Sequence, residues 1–259
     1  MTTTLLIIDP QVDFCEPQGA LFVPGAPADT ARTAALLSRS IDEVDAVHVT
    51  LDSHHPHDIS HPAWWVNPSG AHPAPFTAIS LADLLGGHWL PAAADDSGET
   101  RAYLTALDAS GRYPHVIWPE HCIIGTPGHG VAAALRAPLR DWALRRQRTV
   151  GYWRKGENPL TEHFSAIRAE VPRADDPHTQ QNLALVTALR RSDRLWVAGQ
   201  ALSHCVANTV RDLIFAAPEL APRIELLVDC ASPVPGFEAL AETFVEELRA
   251  QGAQVTTAG

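Results

Sequence analysis

The chain has 259 residues, 46% hydrophobic and 19% charged, with 16 glycines and 21 prolines; this composition excludes disorder, collagen and coiled coil. Lys plus Arg total 19 against 30 Asp plus Glu, a formal net charge of −11, and no basic stripe follows the chain, so nucleic acid is not an expected partner. The start, Met1 to Asp9, has no positive region and no later apolar run could span a bilayer, which predicts a cytoplasmic protein with no membrane partner.

In chain order, short apolar runs predict strands over 4–9, 46–52, 149–153, 195–199 and 224–229, with a last short strand at 254–257. Helical spacing falls between them, over 30–41, 131–146, 179–190, 205–215 and 237–251. The near-continuous apolar character of the strands suits burial on both faces of a parallel sheet. The βαβα order predicts an α/β fold, a doubly wound, mostly parallel sheet flanked by helices, in one domain. Residues 61–120 break this rhythm with His, Pro, Trp and Gly and one helical stretch at 99–110. They read as a long insertion with too little apolar material for its own core, serving as a lid or as an assembly element of a homo-oligomer.

In such a sheet, ligands bind beyond the carboxyl ends of the strands. The first predicted strand ends in Asp9, the second in Asp52 with His54 just beyond, the third runs into Lys155, and Cys205 opens the helix after the fourth. A thiol at a helix start is favoured as a thiolate nucleophile, because the helix terminus lowers its pKa; the alternative is a small buried hydrophobe. The other cysteines, Cys15, Cys122 and Cys230, are too dispersed for a disulfide framework. Asp52 and His54, two apart on extended chain, project to one face as neighbouring metal ligands do. A third ligand must come from elsewhere, and His121 in Trp118-Pro119-Glu120-His121-Cys122 competes with His55, His57 and His61.

These pieces together resemble the isochorismatase-like cysteine hydrolases and, within them, the nicotinamidases. The resemblance rests on Ile8-Asp9-Pro10-Gln11-Val12-Asp13-Phe14 with Gly19 to Gly25, on Thr50-Leu51-Asp52-Ser53-His54, on Trp118 to Cys122, on Lys155-Gly156, and on Val197 to Val206. It implies the isochorismatase-like hydrolase fold and a catalytic triad of Asp9, Lys155 and Cys205. It further implies one divalent metal on Asp52, His54 and His121, with zinc best suited and iron or manganese as alternatives. Phe14 and Trp118 would sandwich the substrate ring, and a cis Gln200–Ala201 peptide would aim the amides of Ala201 and Cys205 at an oxyanion. The implied reaction is hydrolysis of a small amide through a thioester, with nicotinamide to nicotinate plus ammonia the best-matched case. The alternatives are another C–N hydrolase acting on an N-carbamoyl or ureido compound, or a metallohydrolase with a structural cysteine. The chain departs from the family pattern at Ala201-Leu202-Ser203, where Ala-Thr-Asp is usual, in the longer stretch from His54 to His121, and at His57 or Asp58, where some relatives place a histidine.

Overall fold

Leu5-Leu6-Ile7-Ile8, the strongest apolar run near the start, becomes the middle of the sheet. In the computed structural model, which describes residues 1–259, strand β1 (Thr3–Ile8) is buried along its whole length. It lies among β2 (Val44–Asp52), β3 (Gly151–Lys155), β4 (Arg194–Gly199), β5 (Ile224–Leu227) and β6 (Gln254–Thr256). The order across the sheet is β3-β2-β1-β4-β5-β6, and every pairing is parallel. The expected fold class is borne out. Chain direction across the sheet reverses at β1, between β2 and β4, which places the topological switch point at the end of that strand.

The period-2 alternation of β1 sorts its side chains to two cores. Leu5 and Ile7 pack with Leu37, Leu139 and Trp142 from α1 (Ala26–Arg39) and α2 (Ala133–Arg146). Leu6 and Ile8 pack with Leu185, Val210 and Phe244 from α3 (Leu183–Leu189), α4 (Ala207–Ala216) and α5 (Glu238–Ala250). Helix α1 starts four residues before the expected boundary, because Pro27 fits a first turn whose N–H groups are unpaired in any case. Helix α3 is shorter than expected, its start set by the Asn182 side chain accepting from Leu185 N at 3.0 Å. Strand β3 lies two residues later than expected, in a register that pairs Lys155 with Asp52. No helix is long and apolar enough to cross a membrane.

The insertion corrects the expectation that it lacks its own core. Trp64, Trp65, Ile79, Tyr103, Leu104, Leu107 and Ile117 form a separate buried cluster with Ile59. Helix Ser97–Ser110, a short capped helix Leu81–Leu85 and a two-residue strand pair, Trp65–Val66 with Leu90–Pro91, frame it. The two indoles are inside because each brings a large apolar area and finds an acceptor for its N–H: Trp64 Nε1 donates to Thr100 Oγ1 (3.1 Å) and Trp65 Nε1 to Ile59 O (2.7 Å). Their burial also removes them as contacts to a neighbour. Trp65→Ala should cost about 3–5 kcal/mol of stability, read as a lowered midpoint in thermal or urea unfolding; an unchanged midpoint would mean the cluster contributes nothing.

Candidate active site

The carboxyl ends of β1 to β4 converge as the strand order requires. Asp9 leaves β1 with φ of +44°, a region uncommon for a side-chain-bearing residue. Two bonds to β2 hold it there: its N–H donates to Thr50 Oγ1 at 3.0 Å, and the Thr50 hydroxyl donates to Asp9 Oδ1 at 2.5 Å. Gln11 ties the two strand ends together, donating from Nε2 to Asp52 O and accepting from Asp52 N, both at 2.7 Å. After β3 the chain turns at Gly156, with φ of +83°, where a Cβ would come within 2.9 Å of Asp52 Oδ1; only glycine lets the backbone approach that carboxylate so closely.

Lys155 sits at the centre, buried. Its Nζ lies 3.1 Å from Asp9 Oδ2 and 2.8 Å from Asp52 Oδ1, donates to His163 O at 2.8 Å, and reaches Cys205 Sγ at 3.7 Å. Burial works against the ammonium, but Asp52 and Asp9 outweigh it and hold Lys155 well above its ordinary value. Burial also raises Asp9, with Lys155 opposing. Asp52, despite burial, is held well below the usual carboxylate range by Lys155 and His54. For Cys205, burial is the largest influence and Asp9 and Asp52 add to it, so the thiol is pushed well above its ordinary value with Lys155 pulling the other way. The expectation of a thiol lowered by a helix start is therefore corrected. Cys205 lies inside a π-helical turn, Leu202–Val206, ahead of α4, where burial of the thiol, with Asp9 and Asp52 adding to it, sets the direction.

Asp52, His54 and His121 bring one ligand atom each to within 4.8 Å of the others. Both imidazole Nε2 atoms approach Asp52 Oδ2, at 3.3 Å from His54 and 3.5 Å from His121. Of the competing histidines, His55 is exposed and His57 turns outward to Asp96. His61 is buried against His54 and His121 but lies outside that cluster. Asp58 accepts from His54 Nδ1 at 2.9 Å and so orients that imidazole.

Cys205 opens into a small cavity of about 20 Å³, little more than room for one water. Phe14 and Trp118 line it, together with Asp52, His121 and Ala201. The Gln200–Ala201 peptide is cis, and the Ala201 N–H donates to no group in the chain, leaving a free donor in the cavity wall. Glu162, Phe164 and His204 also line it and were not expected. The first two lie in the irregular stretch after Lys155, where no periodicity marks them; His204 adjoins Cys205, and that adjacency was the only signal.

No family model matches the chain. In sequence it is similar to the nicotinamidase of Escherichia coli, 30% identical over 118 residues that cover 45% of this chain and 46% of that protein, so the match spans less than half of the relative's length. In structure it is similar to the yeast nicotinamidase bound to the inhibitor nicotinaldehyde, with TM-score 0.66 and 20% identity over 99% of this chain and 100% of that one. It is also similar to the pyrazinamidase of Pyrococcus horikoshii in complex with zinc, with TM-score 0.59 and 17% identity over 99% of each chain. The chain thus has an α/β fold of the kind used by amide hydrolases. That fold is the one shared by nicotinamidases and pyrazinamidases, as the sequence resemblance implied.

All four thiols are free and buried, but only Cys205 lines the cavity. Iodoacetamide should therefore alkylate Cys205 first, and Lys155→Met should slow that reaction by at least about tenfold, because the ammonium that favours the thiolate is gone. Mass-spectrometric mapping of the alkylated peptide checks both; faster labelling of Cys230 would contradict the placement.

Proposed function

We propose that the chain is a cysteine amidohydrolase that converts a small aromatic amide, nicotinamide in the first instance, to the acid and ammonia. One observation carries the reading: a thiol at 3.7 Å from an ammonium that is itself paired with two buried carboxylates, at the floor of an aromatic cavity. Its similarity to nicotinamidases in sequence and fold supports the choice of substrate.

Asp9, raised by burial, takes the proton of Cys205 when substrate excludes the remaining water, and the thiolate adds to the amide carbonyl carbon. Negative charge gathers on the carbonyl oxygen, where the N–H groups of Ala201 and Cys205 and the nearby Lys155 ammonium receive it. The C–N bond breaks, the proton held by Asp9 passes to the departing nitrogen, and ammonia leaves a thioester. Asp9, again a carboxylate, takes a proton from water as its oxygen attacks; the thiolate departs and recovers that proton. Phe14 and Trp118 hold the ring on either side.

The three-ligand cluster fits a divalent cation on its own chemistry. His54 Nδ1 faces Asp58 Oδ2 at 2.9 Å and His121 Nδ1 faces Pro119 O at 2.8 Å; a carboxylate and a carbonyl only accept, so both Nδ1 atoms carry the proton. Both Nε2 atoms then face one carboxylate oxygen, and His54 Nε2 has no hydrogen-bond partner. In the neutral rings each Nε2 offers a lone pair beside that carboxylate, the donor set a cation takes. Asp52, His54 and His121 would hold one ion; zinc suits two imidazoles and a carboxylate, and iron or manganese accept the same set. Bound there, it supplies a Lewis-acidic point beside the cavity for a donor atom of substrate or for water.

Cys205→Ala should lower ammonia release by at least about a thousandfold with the fold intact; retained turnover would overturn the thioester route. His121→Ala should reduce bound metal from about one ion per chain to a small fraction, measured by inductively coupled plasma analysis. Full occupancy in that variant would place the third ligand elsewhere.

A further inference from the structure

His204 precedes the thiol, is 4% exposed and lines the same cavity, yet the proposed reaction gives it no part. Its Nδ1 lies 2.9 Å from Ser203 Oγ, and Ser203 Oγ accepts from Val234 N at 3.1 Å. Ser203 is fully buried, and Nδ1 is the one acceptor within reach of its hydroxyl proton. The hydroxyl therefore donates to Nδ1, which leaves the proton of the neutral ring on Nε2. Burial lowers His204 to about 4, so the ring is uncharged in neutral solution. Nε2 has no partner within the chain, while the rings of Tyr113, Trp118, Phe164 and Phe237 surround the imidazole. The ring thus carries an N–H that no group of the chain accepts, on a residue that lines the cavity within a set of aromatic side chains.

We propose that His204 is a specificity-determining residue whose Nε2–H donates a hydrogen bond to an oxygen carried by the acyl part of the substrate. The inference rests on the reading of this cavity as an amide site and narrows its substrate class to planar amides with an oxygen substituent, a carbonyl or hydroxyl, on the acyl portion. Trp118 and His204 stand at 84° to one another, so a ring stacked on Trp118 does not stack on His204, and the two are left to meet through an edge and its substituents. An N–H that a bound ligand would leave without an acceptor disfavours ligands that bring none. The polarity of this donor depends on Ser203. The aspartate usual at that position in the resembled family could only accept, which would draw the proton to Nδ1 and leave Nε2 bare. The serine instead leaves the proton of the neutral ring on Nε2.

Two measurements test this. Nitrogen-15 NMR of histidine-labelled protein, with the His204 signals assigned by their loss in His204→Gln, should show Nε2 protonated and Nδ1 bare; the opposite tautomer overturns the proposal whatever the activity. The second measurement is the ratio of kcat/KM for ring-hydroxylated nicotinamide regioisomers to kcat/KM for nicotinamide. For at least one regioisomer the ratio should fall about tenfold in His204→Phe, the worth of one neutral hydrogen bond. His204→Gln, which keeps an N–H in the same space, should recover most of it. Using a ratio cancels general damage to the site. Ratios within twofold of wild type for every regioisomer overturn the inference alone. A wild-type protein that hydrolyses neither nicotinamide nor any of these analogues defeats the amidohydrolase reading, and this inference with it.

Discussion

The buried ion cluster around Lys155 is the constraint on which the rest of the site depends. Two carboxylates with their oxygens 2.8 Å and 3.1 Å from one ammonium are tolerable in a low-dielectric interior only as a set; removing the cation would leave like charges facing each other without water. Much of the local backbone serves that set. Thr50 holds Asp9 in its left-handed turn, Gln11 locks the ends of β1 and β2 together, and Gly156 lets the chain pass beside Asp52. Asp52 also connects two functions, since one of its oxygens faces Lys155 and the other faces His54 and His121. The state of the Asp52, His54 and His121 cluster thereby bears on Lys155 and, through it, on the thiol.

The cavity has two halves with separate origins. Its charged half is built from strand ends of the parallel sheet. Its aromatic half comes from loops, including Trp118 at the end of the insertion and Phe164 after β3. The insertion is fastened to the helix that follows the thiol: Arg112 donates to Asn208 Oδ1 at 3.1 Å and pairs with Asp212 at 3.2 Å, while Tyr113 OH accepts from Arg211 at 3.0 Å. The stretch that carries Trp118 and His121 is therefore held in place from both sides, by its own core and by α4.

How much of this was legible in the sequence follows from how each feature is encoded. Strand β1 could be read because its apolar run needs no partner to be recognised, and Asp9, Asp52 and Lys155 because a parallel sheet gathers what its strand ends carry. The insertion's core could not be read: Trp64, Trp65, Ile79 and Leu107 share no period, and their burial is a property of three-dimensional packing among prolines and turns. Glu162 and Phe164 were hidden for the same reason. The thiol's electrostatics were hidden differently, because they follow first from its burial and then from carboxylates contributed by residues about 150 and 200 positions away, neither of which a local rule about helix termini can see.

Strand β3 lies at the margin of the sheet, hydrogen-bonded to β2 alone, and Lys155 is its last residue. The central strands are clamped on both sides, but the strand that bears the organising cation is not. Margins of sheets are where native proteins open locally at free energies below that of complete unfolding. Five residues of pairing thus separate an ordered charge cluster from a dispersed one, and heat or denaturant acting at that margin can silence the site while both cores remain assembled. Durability of the fold and durability of the chemistry are then different quantities, set by different strands.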